Sequence, residues 1–449
     1  MLKRTKTGTW MPAWVPQSTI TVSALLIICS ITGGYDGSML NGLNILPSYT
    51  DYFQLNNVTK GLNTASVSIG GFIGPLISGI AADRLGRRPA IFWGSLLTIL
   101  GIIIQTAAQN IAMFVVARIM IGIGSAITGV AGGVYLTEAF PSRWRAWGVG
   151  LLNDFYYIGA LIAAGVTLGT GQWQSTWAWR APSLFQAIFS LLCILTLPFI
   201  PESPRWLVQQ GHYEEARLSV AQTNADSNIS DPVVVAIFKE IVDTLKWERE
   251  EGHGLRPIEI FKRSATRKRL LIGISAGPFS CIAGNVIASY YLGSELDTAG
   301  ITDTNDQLKA NVVLNTWCLL CSLIAWTPLL YLYPSEVMNY TIRANGVALS
   351  SFSLNAFALV FTFIMPIGLG DIGWKMYMIN ASWDIVVLVL IAIYWVETKG
   401  KTLEEIDALF EGQKHSSVPD IELIRKGEEQ INTDTIEEQL IVQLHQNIK

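Results

Sequence analysis

The sequence predicts an all-α integral membrane protein built from two related helical halves, and three observations carry that reading. Tyr135-Leu136-Thr137-Glu138, six residues, then Arg145-Ala146-Trp147-Gly148-Val149-Gly150-Leu151 recurs 198 residues later. The second copy reads Tyr333-Pro334-Ser335-Glu336, six residues, then Arg343-Ala344-Asn345-Gly346-Val347-Ala348-Leu349. Seven positions match in register, and each copy sits at the polar end of a long apolar run. A repeated helix end with its loop marks a chain of two related halves, a plan common among membrane carriers. Composition agrees: 50% of the 449 residues are hydrophobic and only 15% are charged. A soluble chain of this size needs more polar surface than that to cover itself. Ten apolar runs also have the length of about 20 residues that crosses a bilayer.

Those runs fall near 20–44, 63–82, 90–108, 112–136, 147–169 and 182–200, then near 270–293, 312–334, 345–368 and 375–396. They divide the chain into a six-helix half (1–200), a polar linker (201–269), a second, shorter half (270–400) and a polar tail (401–449). Arg84, Arg87, Arg88, Arg143, Arg145, Arg343 and the basic 201–269 segment all fall on one side of the bilayer. The positive-inside rule makes that side cytosolic, together with both termini. Asn57-Val58-Thr59 then lies in the first external loop as a glycosylation sequon; the cytosolic Asn228-Ile229-Ser230 shows that such triplets also arise by chance. The first apolar run lacks a small-residue cleavage site, so no cleavable signal peptide is expected.

The linker mixes charges (Glu214, Glu215, Arg217, then Lys246 to Glu251) with apolar residues at helical spacing, and so predicts amphipathic helices under the membrane. In the tail, Thr402-Leu403-Glu404-Glu405-Ile406-Asp407 predicts a short capped helix, and the rest is expected to be mobile. The five cysteines all lie in apolar runs without metal-type spacing and read as small core residues. All four histidines lie in polar segments, which excludes an intramembrane histidine relay. No metal cluster, nucleophile–base pair or phosphate loop is found, so neither enzyme activity nor a cofactor nor a nucleic-acid partner is expected. Gly122-Ile123-Gly124 lies inside a span and predicts close helix packing.

The motifs, taken in order, resemble the sugar-porter family of the major facilitator superfamily. They are Asp83-Arg84-Leu85-Gly86-Arg87-Arg88, Arg118 before Gly122-Ile123-Gly124, Glu138 with Arg145, Trp179-Arg180-Ala181-Pro182, and Pro201-Glu202-Ser203-Pro204-Arg205-Trp206. Tyr290-Tyr291, Glu336 with Arg343, and Glu397-Thr398-Lys399-Gly400 follow. Gly284-Asn285 and Trp326-Thr327-Pro328-Leu329-Leu330-Tyr331-Leu332-Tyr333-Pro334 look most like the fungal lactose-permease and hexose-transporter branch. The resemblance implies twelve spans and a second Asp-Arg-x-Gly-Arg-Arg loop. In the first half that loop begins 55 residues before Glu138, but 55 residues before Glu336 stands Cys281, inside an apolar run. Some 50–60 residues are thus missing from the second half, about two spans' worth, with a junction near Leu323–Trp326. Span 312–334 would then be the start of family span eight fused to family span ten. Either a skipped exon or a truncated paralogue accounts for this, and the reading favours the skipped exon.

The resemblance also implies roles. Asp83, Arg84, Arg87, Arg88, Glu138, Arg145, Glu202, Arg205, Glu336, Arg343 and Glu397 would form a cytosolic gate of carboxylates and guanidiniums. Arg suits this task because its fork holds a carboxylate bidentately; the alternative is a set of positive-inside anchors without gating. Asp36 and Arg118 are lone charges inside apolar runs, each costing about 2.5–3.5 kcal/mol to insert unless compensated; both fall toward the outer half of their spans, so mutual pairing is geometrically plausible. Gly34-Tyr35-Asp36 matches the family's proton-accepting position, with Asp154 and Asp384 as further intramembrane acids; a static ion pair is the alternative. Asn153, Asn285, Tyr290, Tyr291, Asn315, Tyr331 and Asn355 match sugar-binding positions, whereas Cys281 and Leu354 replace amides usual there. Lone intramembrane asparagines also join helices to one another. The expected function is proton-coupled uptake of a hexose or small glycoside by alternating access, as a monomer in the plasma membrane. The rival is a transport-dead sugar sensor.

Overall fold

The computed structural model describes residues 2–4, 10–12, 19–140, 142–225, 227–250, 264–281, 292–325, 329–338, 340–372, 375–396, 398, 406, 409–410, 423–424, 428 and 431–447. Side-chain detail within them begins at Ile28 and omits, among others, 142–153 and 329–332. The described residues are all-helical apart from a small antiparallel pair of strands, β1 (Leu2–Arg4) and β2 (Trp10–Pro12).

In the first half α1 (Thr19–Ile45) and the short α2 (Pro47–Thr50) are followed by α3 (Asn57–Leu85) and α4 (Arg87–Thr106). Next come α5 (Ile111–Ala139), α6 (Ser142–Thr170) and α7 (Trp177–Thr196), the last ending in a 3-10 turn at Leu197–Phe199. The predicted spans therefore form helices, most of them longer at the ends than the apolar runs, because polar caps extend them. Asn56 caps α3: its side chain accepts from the Thr59 amide at 2.8 Å while the Thr59 hydroxyl accepts from the Asn56 amide at 2.8 Å. The sequon at Asn57 thus opens a helix rather than lying in a loop, and its Thr59 serves that cap.

Close helix approach defines this half. A Cβ on Gly34 would run into the Tyr156 carbonyl oxygen, so α1 and α6 cross there backbone to backbone. Gly122 faces α3 and Gly124 faces α4, the packing role expected of that motif.

The linker forms α8 (Pro204–Gln209), α9 (Tyr213–Asn224) and α10 (Pro232–Glu250). Their apolar faces share one cluster that includes Val208, Val220, Phe238 and Ile241. The tail departs from its expected mobility: α17 (Thr433–Asn447) is a helix docked on α10, with Ile436 and Leu440 in that cluster and Glu437 paired with Arg217 of α9. An apolar stripe spaced 436, 440 among charges is short, which is why composition alone hid it. Of 402–407, only Ile406 is described.

The second half contains α11 (Ser264–Ser280), α12 (Leu292–Thr298), α13 (Thr304–Ala325), α14 (Leu329–Val337), α15 (Tyr340–Ile372) and α16 (Lys375–Tyr394). Predicted span 312–334 falls on two described stretches of helix. α13 is described to Ala325 and α14 from Leu329, and the expected junction at Leu323–Trp326 reaches into residues 326–328, which lie outside the described residues. The halves meet along α3 with α15 and α6 with α13; Phe72 and Phe352 stack across the first seam with centroids 4.2 Å apart. By length and composition, five helices among the described residues can cross a membrane: Thr59–Leu85, Arg87–Thr106, Ile111–Ala139, Trp177–Phe199 and Ile342–Thr362.

The sixth and last long helices of the two halves differ. α7 buries Trp179, Ser183, Gln186, Ser190 and Cys193 along one face, against α1 and α4. On α16, Met378, Trp383, Ile385, Leu388 and Ile393 are each more than half exposed, spread around the helix.

Candidate functional site

The repeated motif occupies equivalent places in both halves. Tyr135 donates its hydroxyl to the Pro201 carbonyl at 2.7 Å, and Tyr333 donates to the Val396 carbonyl at 3.0 Å. Each tyrosine ties its helix to the backbone just after the last long helix of its half.

Around the first copy, charges converge. Arg87 holds Glu138 bidentately, Nε to Oε2 at 3.0 Å and Nη2 to Oε1 at 3.1 Å. Ser203 Oγ donates to Glu138 Oε2 at 2.6 Å, and Arg205 lies within electrostatic reach. The Arg343 guanidinium, from the second copy, reaches Glu138 Oε1 at 3.5 Å while its Nε donates to the carbonyls of Ser335 and Met338. Glu336, beside Ser335 on α14, is buried.

Gly86 makes this arrangement possible. Its φ of 102° breaks α3 from α4, and a Cβ there would stand 2.8 Å from Glu202 Oε2. The Glu202 carboxylate accepts from the Arg87 amide at 3.2 Å and the Arg88 amide at 3.1 Å, capping the positive N-terminal end of α4. Burial pushes the Glu202 carboxyl above the usual glutamate value, partly offset by the Ser203 and Arg88 amides and by the Arg88 charge. Arg88 donates to the Leu197 carbonyl, and Asp83 pairs with Arg87 at 3.5 Å and accepts from Asn345 at 3.3 Å. Arg84, expected among these residues, is exposed to solvent instead. Side chains of Arg145 and Glu397 lie outside the described residues.

Behind this cluster lies a cavity of about 290 Å³ between the halves, lined by Asp36, Thr128, Tyr156 and Ser190 on one side and by Ser351 and Asn355 on the other. Hydroxyls, one carboxyl and one amide on a small-residue wall suit a small polar ligand. Asp36 is 3% exposed and does not pair directly with Arg118 as expected. Its Oδ1 accepts a hydrogen bond from Gln186 Nε2 on α7, and its Oδ2 has no hydrogen-bond partner. Arg118, also buried, acts on the carboxyl through its charge from α5. Tyr35 beside it donates to the Pro182 carbonyl at 3.0 Å and so fixes the roll of α1 against α7.

Asn355 lines the cavity and donates to the Ser351 carbonyl at 2.8 Å. Leu354 also lines it, with Cys281 Sγ 3.5 Å from the Leu354 carbonyl oxygen. Asn315 sits elsewhere, in an amide clasp between α1 and α13: Ser38 donates to Asn315 at 3.2 Å and Asn41 donates to Asn311 at 3.1 Å. Asp154 of α6 accepts from Ser322 of α13 at 2.6 Å. Asn285, Tyr290 and Tyr291, and the side chains of Asn153 and Tyr331, lie outside the described residues. Gln186 and Asn311 were not singled out in the sequence. The signal for Gln186 was its place in the stripe Trp179, Ser183, Gln186, Ser190, Cys193 on one helical face.

The profile of a family described as "Sugar (and other) transporter" matches residues 22–326 and 318–410. The chain belongs to that family. The motif resemblance thus holds, and the protein is a multi-pass membrane protein of a transporter family, not an enzyme. Among its relatives, the MFS-type transporter oryC of Aspergillus oryzae (strain ATCC 42149 / RIB 40) is 27% identical over 471 positions, covering 90% of this chain and 86% of that protein. The high-affinity glucose transporter of Kluyveromyces lactis is 25% identical over 467 positions, covering 87% and 84%. The proton:xylose symporter XylE, solved with 6-bromo-6-deoxy-D-glucose, superposes with a TM-score of 0.72 at 19% identity, covering 87% of this chain and 98% of that one. That likeness shows the major facilitator fold. The oryC alignment takes up 90% of 449 residues, about 404, so about 67 of its 471 positions carry no residue of this chain. The family profile, meanwhile, changes from its first matched stretch to its second at 318–326.

Proposed function

We propose that this chain carries a hexose or small glycoside together with a proton, inward across the plasma membrane, by alternating access, with both termini cytosolic and the monomer as the working unit. The observation that carries this reading is the cavity between the halves, with the half-satisfied Asp36 carboxyl on one wall and Asn355 on the other. A carboxyl with one oxygen held by Gln186 and the other without a hydrogen-bond partner can take a proton there. Glu138, Arg87 and Arg343 close one mouth, and the Ser38/Asn41–Asn311/Asn315 clasp closes the other. Opening either mouth requires breaking contacts between halves, which is the elementary step of alternating access. Relatives named as glucose transporters, and one named as an arabinose-proton symporter from Bacillus subtilis, support the sugar and proton assignment.

The second half supports a shortened family plan. By the repeat, α16 corresponds to α7, and the missing segment includes the counterpart of α4, the helix on which α7 packs. Exposure around α16 and the 67 unmatched positions agree with that loss. The same observations favour the second reading, a sugar receptor that binds without translocating. Expression in cells lacking their own hexose carriers separates the two: concentrative glucose uptake supports the carrier, and saturable binding without accumulation supports the receptor. Sequencing the transcript across the codons for Leu314 to Tyr333 tests the shortening itself, since an inserted Asp-Arg-x-Gly-Arg-Arg loop would make this form a splicing fragment.

A further inference from the structure

Two thiols face each other on the wall of the cavity. Cys29 of α1 and Cys193 of α7 have their sulfurs 3.3 Å apart, and Ser95 of α4 lies 3.5 Å from the Cys193 sulfur. Both line the cavity and both are free thiols. Of the other three cysteines, Cys281 lies against Leu354, while Cys318 and Cys321 sit together on α13.

The pair has a fixed relation to Asp36. On α1, Cys29 lies seven residues before Asp36; on the antiparallel α7, Cys193 lies seven residues after Gln186. Seven residues are about two helical turns, which returns to the same face. The thiol pair and the Asp36–Gln186 hydrogen bond are therefore two rungs of one seam.

We propose that Cys29 and Cys193 form an oxidisable dithiol site, whose reactant is a hydroperoxide entering the cavity and whose disulfide product locks the α1–α7 seam. The first sulfur, as thiolate, attacks a peroxide oxygen; the O–O bond breaks and a sulfenic acid forms with release of water or an alcohol. The second sulfur displaces the sulfenic oxygen, which leaves as water with the remaining thiol proton, and the S–S bond closes. Two thiols lose two electrons in all, and the peroxide gains them. A crosslink two turns from Asp36 holds α1 and α7 at one spacing. The effect on transport rests on the proposed role of Asp36 in proton coupling; the chemistry at the sulfurs does not.

The test uses the full chain in membranes with Cys281, Cys318 and Cys321 each changed to serine, so that Cys29 and Cys193 alone remain. After hydrogen peroxide treatment and denaturation, maleimide-reactive thiols are counted and linked peptides sought by mass. The expected result is joint loss of both thiols, a Cys29–Cys193 linked peptide, and recovery of both with dithiothreitol. Persistence of both thiols, or oxidation of one without the other, overturns the site. In the otherwise unmodified chain, peroxide should abolish concentrative uptake reversibly, and Cys29→Ser, Cys193→Ser and Cys29→Ala should resist it. Linkage without any change in uptake overturns the lock. Absence of uptake from the untreated chain would count against the carrier reading alone, since the thiol count is read independently.

Discussion

Glu138 Oε1 stands 3.5 Å from Arg343 Nη1, so the carboxylate of one repeat copy is paired with the guanidinium of the other. The acid of the first copy and the base of the second therefore meet across the halves. Because Arg87 already holds Glu138 bidentately, the Arg343 contact adds a link between the halves, beside the Asn345–Asp83 hydrogen bond. Glu138→Ala takes the shared carboxylate from two buried guanidiniums and should cost about 3–5 kcal/mol of stability. Arg343→Met should cost less, because Arg87 and Ser203 still satisfy the carboxylate. Thermal melting of the two single variants and the double variant gives the coupling energy, and strict additivity would dissolve the pair.

Asp36→Asn removes the titrating group from the cavity wall. Uphill sugar accumulation should disappear while exchange of labelled for unlabelled sugar continues. Accumulation that survives the substitution would rule Asp36 out as the proton carrier. Gln186→Ala removes the hydrogen bond to Asp36 and leaves a buried acceptor unmet, at a cost of about 1–3 kcal/mol. The pH profile of accumulation should change with exchange intact, and an unaltered profile would reduce Gln186 to packing.

Gly34 and Gly33 are neighbours with opposite tolerance. A Cβ at Gly34 collides with the Tyr156 carbonyl, whereas nothing lies within 4 Å of a Cβ at Gly33. Gly33→Ala should be neutral or gain up to about 1 kcal/mol from helix propensity. Gly34→Ala forces α1 and α6 apart and should lose 1–3 kcal/mol or roughly that, as overpacked cores do. Equal yields of folded protein from both variants would contradict the crossing.

Glu202 lies in the linker, outside the spanning helices, and burial raises its carboxyl above the ordinary range. A folded value above the unfolded one, about 4.3, makes its contribution to stability full below the unfolded value. That contribution is lost as pH rises through the raised value. The melting-temperature advantage of the wild type over Glu202→Gln should therefore widen as pH falls from neutral into the mildly acidic range. A gap that narrows on acidification would reverse the assignment.

Docking of α17 rests on apolar contact more than on charge. The Arg217–Glu437 pair is partly exposed and contributes about 0–1 kcal/mol, whereas Leu440 is 4% exposed. Leu440→Asp should free the helix and expose the tail to limited proteolysis, and Arg217→Ala should leave it protected. Equal protease resistance in both variants would show that the helix is held elsewhere.

Much of this was legible in the sequence because the bilayer imposes a length and a polarity on each span, and the repeat exposed the two halves. The pairing of Arg87 with Glu138 followed from charge type and position. Arg84 was grouped with them because it is adjacent in sequence, but the positive φ of Gly86 turns Arg87 inward and leaves Arg84 on the outer face of α3. Asp36 was a plausible partner for Arg118 because both are lone charges; a neutral amide, Gln186, took the hydrogen bond, and neutral polar residues leave no mark in a charge count. The docked α17 escaped notice because two apolar residues among acids resemble a solvated tail until the surface that covers them is known.

The bundle of α8, α9, α10 and α17 is assembled from chain lying on both sides of the entire second half. On the ribosome, the apolar face that α8, α9 and α10 offer to Ile436 and Leu440 is made first and stays open to solvent until the whole second half has been translated. Only then is α17 translated and able to cover it. Burial of that patch thus reports that insertion has run its course, and an arrested or misthreaded molecule displays a sticky surface on which chaperones and degradation machinery can act.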